Sequence, residues 1–243
     1  MAAQRRTGDT VEIEGGYQHR ALHNGNPVQR HWHMSKLRAI DHFLPALEDD
    51  VIADVGCGSG VVSHHLSKSC KQVIGIDGNE DAIHFANATY RSDNLQFVHG
   101  LVDEIHLKPE SLSKIYCLEV VEHLYDNQVK ELIQVFYRLL RPGGRLMLTT
   151  PNYRSLWPVI EQMLDLFKLV PKLQGEQHVT KFTKSKLARV CRDGGFRIVR
   201  QSTICTIGPW VAPLSEAAAE YWTRWEMRRN LPAGSILVIV LEK

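Results

Sequence analysis

The hydrophobic positions of the chain alternate between short apolar runs and longer stretches with helical spacing. Apolar runs predict five strands in the first two thirds of the chain, at 51–55, 72–76, 95–99, 114–118 and 145–150. Between them, apolar residues recur every three or four positions, as in amphipathic helices, at 61–67, 80–90 and 127–140. Strands that alternate with helices indicate parallel strand–helix–strand units. The pattern therefore predicts an α/β fold with a Rossmann-like, doubly wound sheet and helices on both faces.

Further helices and strands are predicted before the first strand and after the fifth. A helix is predicted before the first strand, at 31–47, and further helices follow the fifth strand, at 155–170, 184–193 and 214–229. Two more apolar runs, at 196–205 and 235–241, raise the expected number of strands to seven. We therefore expect a seven-stranded, mainly parallel sheet in one domain at 31–243, with a helical insertion at about 152–180. Residues 1–30 are expected to form an extension, either flexible or covering the site.

Turn-forming residues predict where two of the helices begin and end. Asn79 is a helix-capping residue type and is expected to begin the helix at 80–90. Pro142, Gly143 and Gly144 follow the helix at 127–140 and are expected to end it.

Composition indicates which partners and which cellular compartment to expect. The formal net charge of the 243 residues is +2, which is too small to indicate a nucleic-acid partner. Five cysteines without C-x-x-C spacing suggest neither a disulfide framework nor a zinc site. The polar first ten residues do not resemble a secretory signal, and no apolar stretch reaches 18 residues. We therefore expect a cytoplasmic protein with no transmembrane segment.

A glycine-rich loop directly after the first strand is the sharpest local signal. Asp54 is followed by Gly56, Gly58 and Gly60, and the second strand ends seventeen residues beyond Gly60, at Asp77. Glycines let the backbone turn tightly and approach a ligand. A carboxylate at the end of the second strand suits the two hydroxyls of a ribose. A purely structural strand-to-helix turn is the alternative.

The loop discriminates between the nucleotides that such a sheet could bind. Val61 stands where the dinucleotide pattern requires a third glycine, and the Gly-Lys-Ser/Thr of a P-loop is absent. The carboxylate of Asp54 would repel a diphosphate but attract a methionine ammonium group. The loop therefore favours a nucleoside that carries an amino acid.

A second cluster of reactive side chains follows the fourth strand. Glu119, Glu122 and His123 lie at its carboxyl end, where open α/β sheets bind their ligands. His123 could remove a proton from an attacking hydroxyl. The three side chains could instead bind Mg²⁺, which would lower the pKa of that hydroxyl. A third interpretation is structural, with Glu122 paired locally and His123 packed under the sheet.

At this point the sequence resembles the class I S-adenosylmethionine (SAM)-dependent methyltransferases, over roughly residues 35–205. The resemblance implies that the glycines line the methionine part of SAM and that Asp77 binds the ribose. Members of that family often carry Gly-Asp after strand three, where this chain has Gly100 and Leu101. Backbone groups near Val102, or Asp103, are therefore expected at the adenine. The complete expected cofactor site is Asp54, Gly56, Cys57, Gly58, Gly60, Asp77, Gly78, Leu101, Val102, Asp103 and Leu118.

Five motifs narrow the resemblance to the ubiquinone-biosynthesis O-methyltransferases, which act on polyprenyl catechols. They are Glu119-x-x-Glu122-His123, His178-x-x-Lys181-Phe182, and the stretches at 22–27, 155–157 and 170–172. Some members of that family bind Mg²⁺ through the corresponding Glu, Glu and His. This resemblance implies Glu119, Glu122 and His123 as catalytic residues, and the same three with His178 as the metal ligands.

The resemblance implies O-methylation of a small apolar hydroxylated acceptor, such as a catechol, a phenol or a prenyl lipid. The alternatives are N- or C-methylation of a small molecule, a non-catalytic SAM-binding module, and RNA 2′-O-methylation, since small-RNA enzymes also use a Glu-x-x-Glu-His segment. The apolar stretch at 155–170 is a candidate for contact with lipid at a membrane surface. It could equally pack on the core or form a homodimer interface.

Overall fold

The computed structural model describes residues 14–155, 179–229, 231 and 233–243. The strands are β1 (Val51–Val55), β2 (Gln72–Asp77), β3 (Leu95–His99), β4 (Leu112–Leu118), β5 (Leu140–Pro151), β6 (Arg197–Ile204) and β7 (Ile236–Glu242). The helices are α1 (Tyr17–His23), α2 (Pro27–Phe43), α3 (Val61–Ser67), α4 (Glu80–Thr89), α5 (Asp126–Leu139), α6 (Lys184–Asp193), α7 (Gly208–Val211) and α8 (Glu216–Arg229). A 3₁₀ turn, Val121–His123, follows β4.

The strands form one seven-stranded sheet in the order β3-β2-β1-β4-β5-β7-β6. The first five pair in parallel, whereas β7 runs antiparallel to both β5 and β6. The expected seven-stranded, mainly parallel sheet is therefore confirmed. The strand order reverses at β1, which lies between β2 and β4. Ligands of such sheets bind outside the carboxyl ends of the strands at this reversal.

Helices cover both faces of the sheet, as predicted. On one face, residues of α5 and α6 such as Ile133, Phe136 and Leu187 are buried against the strands. On the other face, α2, α3 and α8 contribute Ile40, Leu66 and Met227. Every residue of β4 is buried, because this strand lies at the centre of the sheet with a layer on each side. Burial of this apolar surface is the main favourable contribution to folding.

Some predicted boundaries differ from the structure. Helix α5 ends at Leu139, within one residue of the predicted end, but β5 begins at Leu140 and not at 145, so Pro142–Gly144 lie inside this strand. Gly143 adopts φ +73°, and the backbones of Gly143 and Gly144 pair with Lys243, so these residues extend the strand instead of ending the helix. Helix α2 spans Pro27–Phe43, so both of its ends lie four residues before those of the helix predicted at 31–47. The side chain of Asn26 accepts a hydrogen bond from the Gln29 backbone at 3.0 Å, which caps the helix there.

The remaining predictions concern the cap of α4, the helical insertion and the expected absence of a transmembrane segment. Asn79 caps α4, as predicted, by accepting a hydrogen bond from the Ala82 N–H at 3.2 Å. Most of the predicted helical insertion at 152–180 lies outside the described residues, including all but Ser155 of the stretch 155–170 considered for lipid contact or dimerisation. None of the helices in the described part of the chain is long and apolar enough to cross a bilayer.

A buried ion pair joins β4 to the segment before β1, at the end of the sheet opposite the strand carboxyl termini. The Lys114 ammonium contacts Asp50 and donates a hydrogen bond to the Pro45 carbonyl at 2.6 Å. Ser113 donates to the other Asp50 oxygen at 2.8 Å. Removing one partner of such a pair leaves the other charge buried without compensation.

We expect Lys114→Ala to lower the free energy of unfolding by about 3 kcal/mol, because Asp50 then remains buried and unpaired. Urea denaturation of wild type and variant measures the loss. Lys71→Ala, at an exposed position, is the control and should stay within about 0.5 kcal/mol of wild type. A loss below about 1 kcal/mol for Lys114→Ala would contradict a stabilising role for the pair.

Candidate functional site

The glycine loop between β1 and α3 requires glycine for its backbone shape. Gly56, Gly58 and Gly60 have φ values of +76°, +50° and +82°, which are strained for residues with a Cβ. A Cβ at Gly60 would also lie only 2.6 Å from the Phe97 ring. The N–H groups of Gly56 and Cys57 both donate to the Ile76 carbonyl, at 2.8 and 3.1 Å. The loop is thereby fixed to the end of β2.

Asp77, the last residue of β2, lies directly against this loop. Its carboxylate accepts hydrogen bonds from the backbone N–H groups of Gly58, at 2.7 Å, and Asn79, at 2.8 Å. Burial raises the pKa of Asp77, while these two hydrogen bonds act in the opposite direction. The side chain is therefore held in one orientation at the carboxyl end of the sheet.

The segment after β3 completes the same edge of the sheet. The Gly100 N–H donates to the Asp77 carbonyl at 3.0 Å, and His99 Nε2 lies 3.1 Å from the Gly78 carbonyl oxygen. Beyond Gly100, Leu101 is partly buried, Val102 is buried and Asp103 is exposed. The predicted cofactor residues after β1, β2 and β3 are thus brought together, with Asp103 the most exposed of them.

Asp54 is buried near the end of β1. Ser63, in the first turn of α3, donates a hydrogen bond to its carboxyl group at 2.6 Å. Burial raises the pKa of Asp54 to about 7, although the hydrogen bond from Ser63 lowers it. Asp54, Gly56, Cys57 and Leu118 line one side of a cavity at the carboxyl ends of β1 and β4.

The two N-terminal helices form the other side of this cavity, through Gln18, His33, Lys36 and Leu37. Helix α1 also contacts the glycine loop. The Gln18 side-chain oxygen accepts a hydrogen bond from the Ser59 N–H at 3.2 Å, and the His19 N–H donates to the Ser59 hydroxyl at 3.0 Å. The described part of the predicted N-terminal extension therefore lies against the glycine loop.

Glu119, the first residue after β4, has a strained backbone and a fully engaged carboxylate. Its φ is +57°, and its N–H donates to the Thr149 carbonyl at 3.0 Å. One carboxylate oxygen accepts from Trp32 Nε1 at 3.0 Å, and the other lies 2.5 Å from the Lys36 ammonium. Both partners belong to α2, so Glu119 connects this helix to the end of β4.

His33 lies beside Lys36 on α2, close to Tyr17 of α1. The two rings meet edge to face, with centroids 6.2 Å apart. Burial, and then the charge of Lys36, hold the pKa of His33 well below its usual value, so the imidazole is neutral at pH 7. Burial also raises the pKa of Tyr17, as does the negative charge of Glu119. The α2 side of the site thus combines one buried cation with neutral polar groups.

Glu122 and His123 lie in the 3₁₀ turn after β4 but in different surroundings. Glu122 is 1% exposed, and its Oε2 has no hydrogen-bond partner among the described residues. Burial, followed by the charge of Glu119, raises the pKa of Glu122 to about 8, so it is mostly protonated at pH 7. His123 is partly exposed.

The expected Mg²⁺ site does not fit the described residues. Mg²⁺ requires several oxygen ligands and the negative charge that they carry. Both carboxylate oxygens of Glu119 are already engaged by Trp32 and Lys36, and Glu122 is buried in surroundings that raise its pKa to about 8. No group of three potential metal-ligating side chains occurs in the part of the chain that the structure describes. His178, the fourth expected ligand, lies outside it.

Four side chains that face this site were missed from the sequence, namely Gln18, Trp32, His33 and Lys36. The three on α2 are spaced by one and three residues, so they fall on neighbouring positions of the same side of the helix. The helix predicted at 31–47 already contained Lys36 beside the apolar Leu37 and Ile40, and the structure shows all three to be buried. A lysine on a buried helix face indicates a buried counter-charge.

Comparisons with known proteins agree with this architecture. A family model described as a methyltransferase domain matches residues 53–148, from β1 into β5. The ubiquinone biosynthesis O-methyltransferase of Leptothrix cholodnii is 29% identical over 183 residues, which cover 72% of this chain and 73% of the relative. The protein of the same name from an Azoarcus species is 28% identical over 187 residues, 74% of this chain and 75% of its own.

Solved structures share the fold. A SAM-dependent methyltransferase from Archaeoglobus fulgidus superposes with a TM-score of 0.61 at 19% identity, covering 93% of this chain and 99% of its own. A chain from a Haloferax volcanii complex of a methyltransferase activator with a methyltransferase superposes with a TM-score of 0.66 at 20% identity. The superposition covers 95% of this chain and 99% of that one. The matched domain, the curated relatives and the sheet together support a class I SAM-dependent methyltransferase.

Proposed function

We propose that the chain transfers the methyl group of SAM to a hydroxyl of a small apolar acceptor, such as a catechol, a phenol or a prenyl lipid. The observation that carries this proposal is the junction of β1 and β4, where Asp54, Gly56 and Leu118 line one cavity next to Glu119. The relatives named ubiquinone biosynthesis O-methyltransferase support the choice of oxygen as the nucleophile.

SAM would lie along the carboxyl edge of the sheet. The Asp77 carboxylate, oriented by Gly58 and Asn79, would bind the ribose hydroxyls beside Gly78. The backbone of the loop from Gly56 to Gly60, including Cys57, would line the methionine part, and Asp54 would attract its ammonium group. The segment 101–103 would hold the adenine, and Leu118 would contact the cofactor from the end of β4.

The reaction needs alignment more than acid or base strength, because the sulfonium charge already activates the methyl group of SAM. The acceptor oxygen would attack the methyl carbon in line with the breaking carbon–sulfur bond. Helices α1 and α2 would limit the access of water to this geometry, since they wall the cavity opposite the glycine loop. His123 would take the hydroxyl proton as the new bond forms.

The acceptor class can be tested by incubating the protein with SAM and a panel of catechols, polyprenyl phenols, amines and short RNAs. The proposal predicts S-adenosylhomocysteine (SAH) and a methyl ether, identified by mass spectrometry, with the catechols or phenols only. Products with a new N–CH₃ group, or methylated RNA, would contradict it.

We expect His123→Ala to lower turnover of the best acceptor by about 10²-fold or more while the affinity for SAM stays unchanged, because only proton removal is lost. Steady-state kinetics and calorimetry measure the two quantities. His106→Ala, at an exposed position remote in sequence from the motif, is the matched control. Unchanged turnover in His123→Ala would exclude the imidazole as the base.

We also expect SAM binding to release protons from Asp54. At pH 7 about half of the free protein carries a protonated Asp54, since its pKa is about 7. An ammonium group bound beside it favours the carboxylate and lowers that pKa, so binding releases about half a proton at pH 7 and more towards pH 6. Calorimetry in phosphate and in imidazole, which both buffer near pH 7 but differ in ionisation enthalpy, counts these protons.

Asp54→Asn is the control for this proton release. The variant lacks the titrating group, so its binding enthalpy at pH 6 to 7 should be the same in the two buffers. Equal enthalpies in the two buffers for the wild type at pH 6 to 7 would show that Asp54 does not meet the ammonium group.

A further inference from the structure

The Lys36 ammonium lies where the motif Glu119-x-x-Glu122-His123 would lead one to expect a divalent cation. Lys36 is 7% exposed, and its Nζ is 2.5 Å from Glu119 Oε2. A buried ammonium is retained only where an anion compensates its charge. Glu119 supplies that anion, and Trp32 Nε1 occupies its second oxygen at 3.0 Å. A cation could therefore reach this carboxylate only by displacing side chains of α2.

Helix α2 is anchored along its length, so such a displacement would disturb the core. Leu37 and Ile40 are buried in the cluster on that face of the sheet. Arg38 pairs with Glu220 of α8 at 3.0 Å, and buried His31 lies 3.2 Å from the Thr223 hydroxyl of the same helix. The position of Lys36 beside Glu119 is therefore set by the packing of α2.

We infer that Lys36 takes the place of a divalent cation in this site, so that the chain excludes metal from Glu119 and supplies its own fixed positive charge. Lys36 also lines the cavity next to Gly56 and Leu118. From there its charge would stabilise the negative charge that develops on an acceptor oxygen as its proton leaves. The proton of the acceptor hydroxyl goes to His123, and the electron pair of the broken carbon–sulfur bond stays on sulfur. This second role rests on the proposed function.

Titration of the full chain with Mn²⁺, followed by the electron paramagnetic resonance signal of the free ion, tests the exclusion of metal without relying on activity. The wild type should bind no Mn²⁺ that depends on Glu119. Lys36→Met, which removes the ammonium but keeps an unbranched apolar stem, should bind Mn²⁺ at least about tenfold more tightly than wild type, because the carboxylate is released. Lys36→Arg keeps the positive charge, so its affinity for Mn²⁺ should equal that of the wild type.

The higher affinity of Lys36→Met for Mn²⁺ should disappear in the double variant Lys36→Met/Glu119→Gln. Circular dichroism checks that each variant is folded. Two results would overturn the inference. One is stoichiometric Mn²⁺ binding by the wild type that Glu119→Gln abolishes, a comparison that does not need the Lys36 variants to fold. The other is a folded Lys36→Met protein that gains no Mn²⁺.

Methyl transfer in the presence of EDTA tests the functional half of the inference. Equal rates with and without EDTA support it, and a rate that EDTA abolishes and Mg²⁺ restores overturns it. If no catechol or phenol is methylated under either condition, the proposed acceptor class is wrong, and the Mn²⁺ titration still decides whether Lys36 excludes metal.

Discussion

Strand β1 pairs in parallel with β2 on one side and with β4 on the other, and this pairing sets the position of every residue at the site. It brings the glycine loop, Asp77 and the Glu119 segment to the same edge of the sheet, although they are distant in sequence. The pairing is held by burial, since β4 is buried along its whole length. The site is therefore built at the end of the buried centre of the sheet, and α1 and α2 cover it from outside the sheet.

Burial and local partners give the carboxyl groups of the site different pKa values. Glu119 is paired with Lys36, whereas Glu122 has no such partner among the described residues and is held mostly protonated at pH 7 by a pKa of about 8. Asp54 lies between these extremes, with a pKa of about 7 and a serine hydrogen bond. A carboxyl group with a pKa near neutrality changes its protonation when a charged ligand binds beside it. This property suits a site for the ammonium group of SAM.

The sheet and the cofactor edge could be predicted from the sequence because their signals are local. Alternating apolar runs identified the seven strands, and the spacing from the glycines to Asp77 identified residues that the structure brings into hydrogen-bond contact. The partner of Glu119 could not be predicted in this way, because Lys36 lies 83 residues away and meets it only through tertiary packing. The Glu-x-x-Glu-His segment therefore suggested a metal site, whereas the fold places a lysine there. For the same reason the place of Pro142–Gly144 inside β5 could not be predicted, since their pairing with Lys243 depends on the opposite end of the chain.

Calorimetric titration of the full chain with SAM and SAH, with NAD⁺ as the negative control, tests whether the glycine loop and Asp77 form a SAM site. We expect binding of both SAM and SAH, no binding of NAD⁺, and a loss of roughly tenfold to a hundredfold in affinity for Asp77→Ala, since hydrogen bonds to a charged group contribute about 1.5–3 kcal/mol. Asp93→Ala, which removes an exposed carboxylate before β3, should bind like wild type. A folded wild-type protein that binds neither SAM nor SAH, or an Asp77→Ala variant with unchanged affinity, would show that this edge of the sheet is not a SAM site.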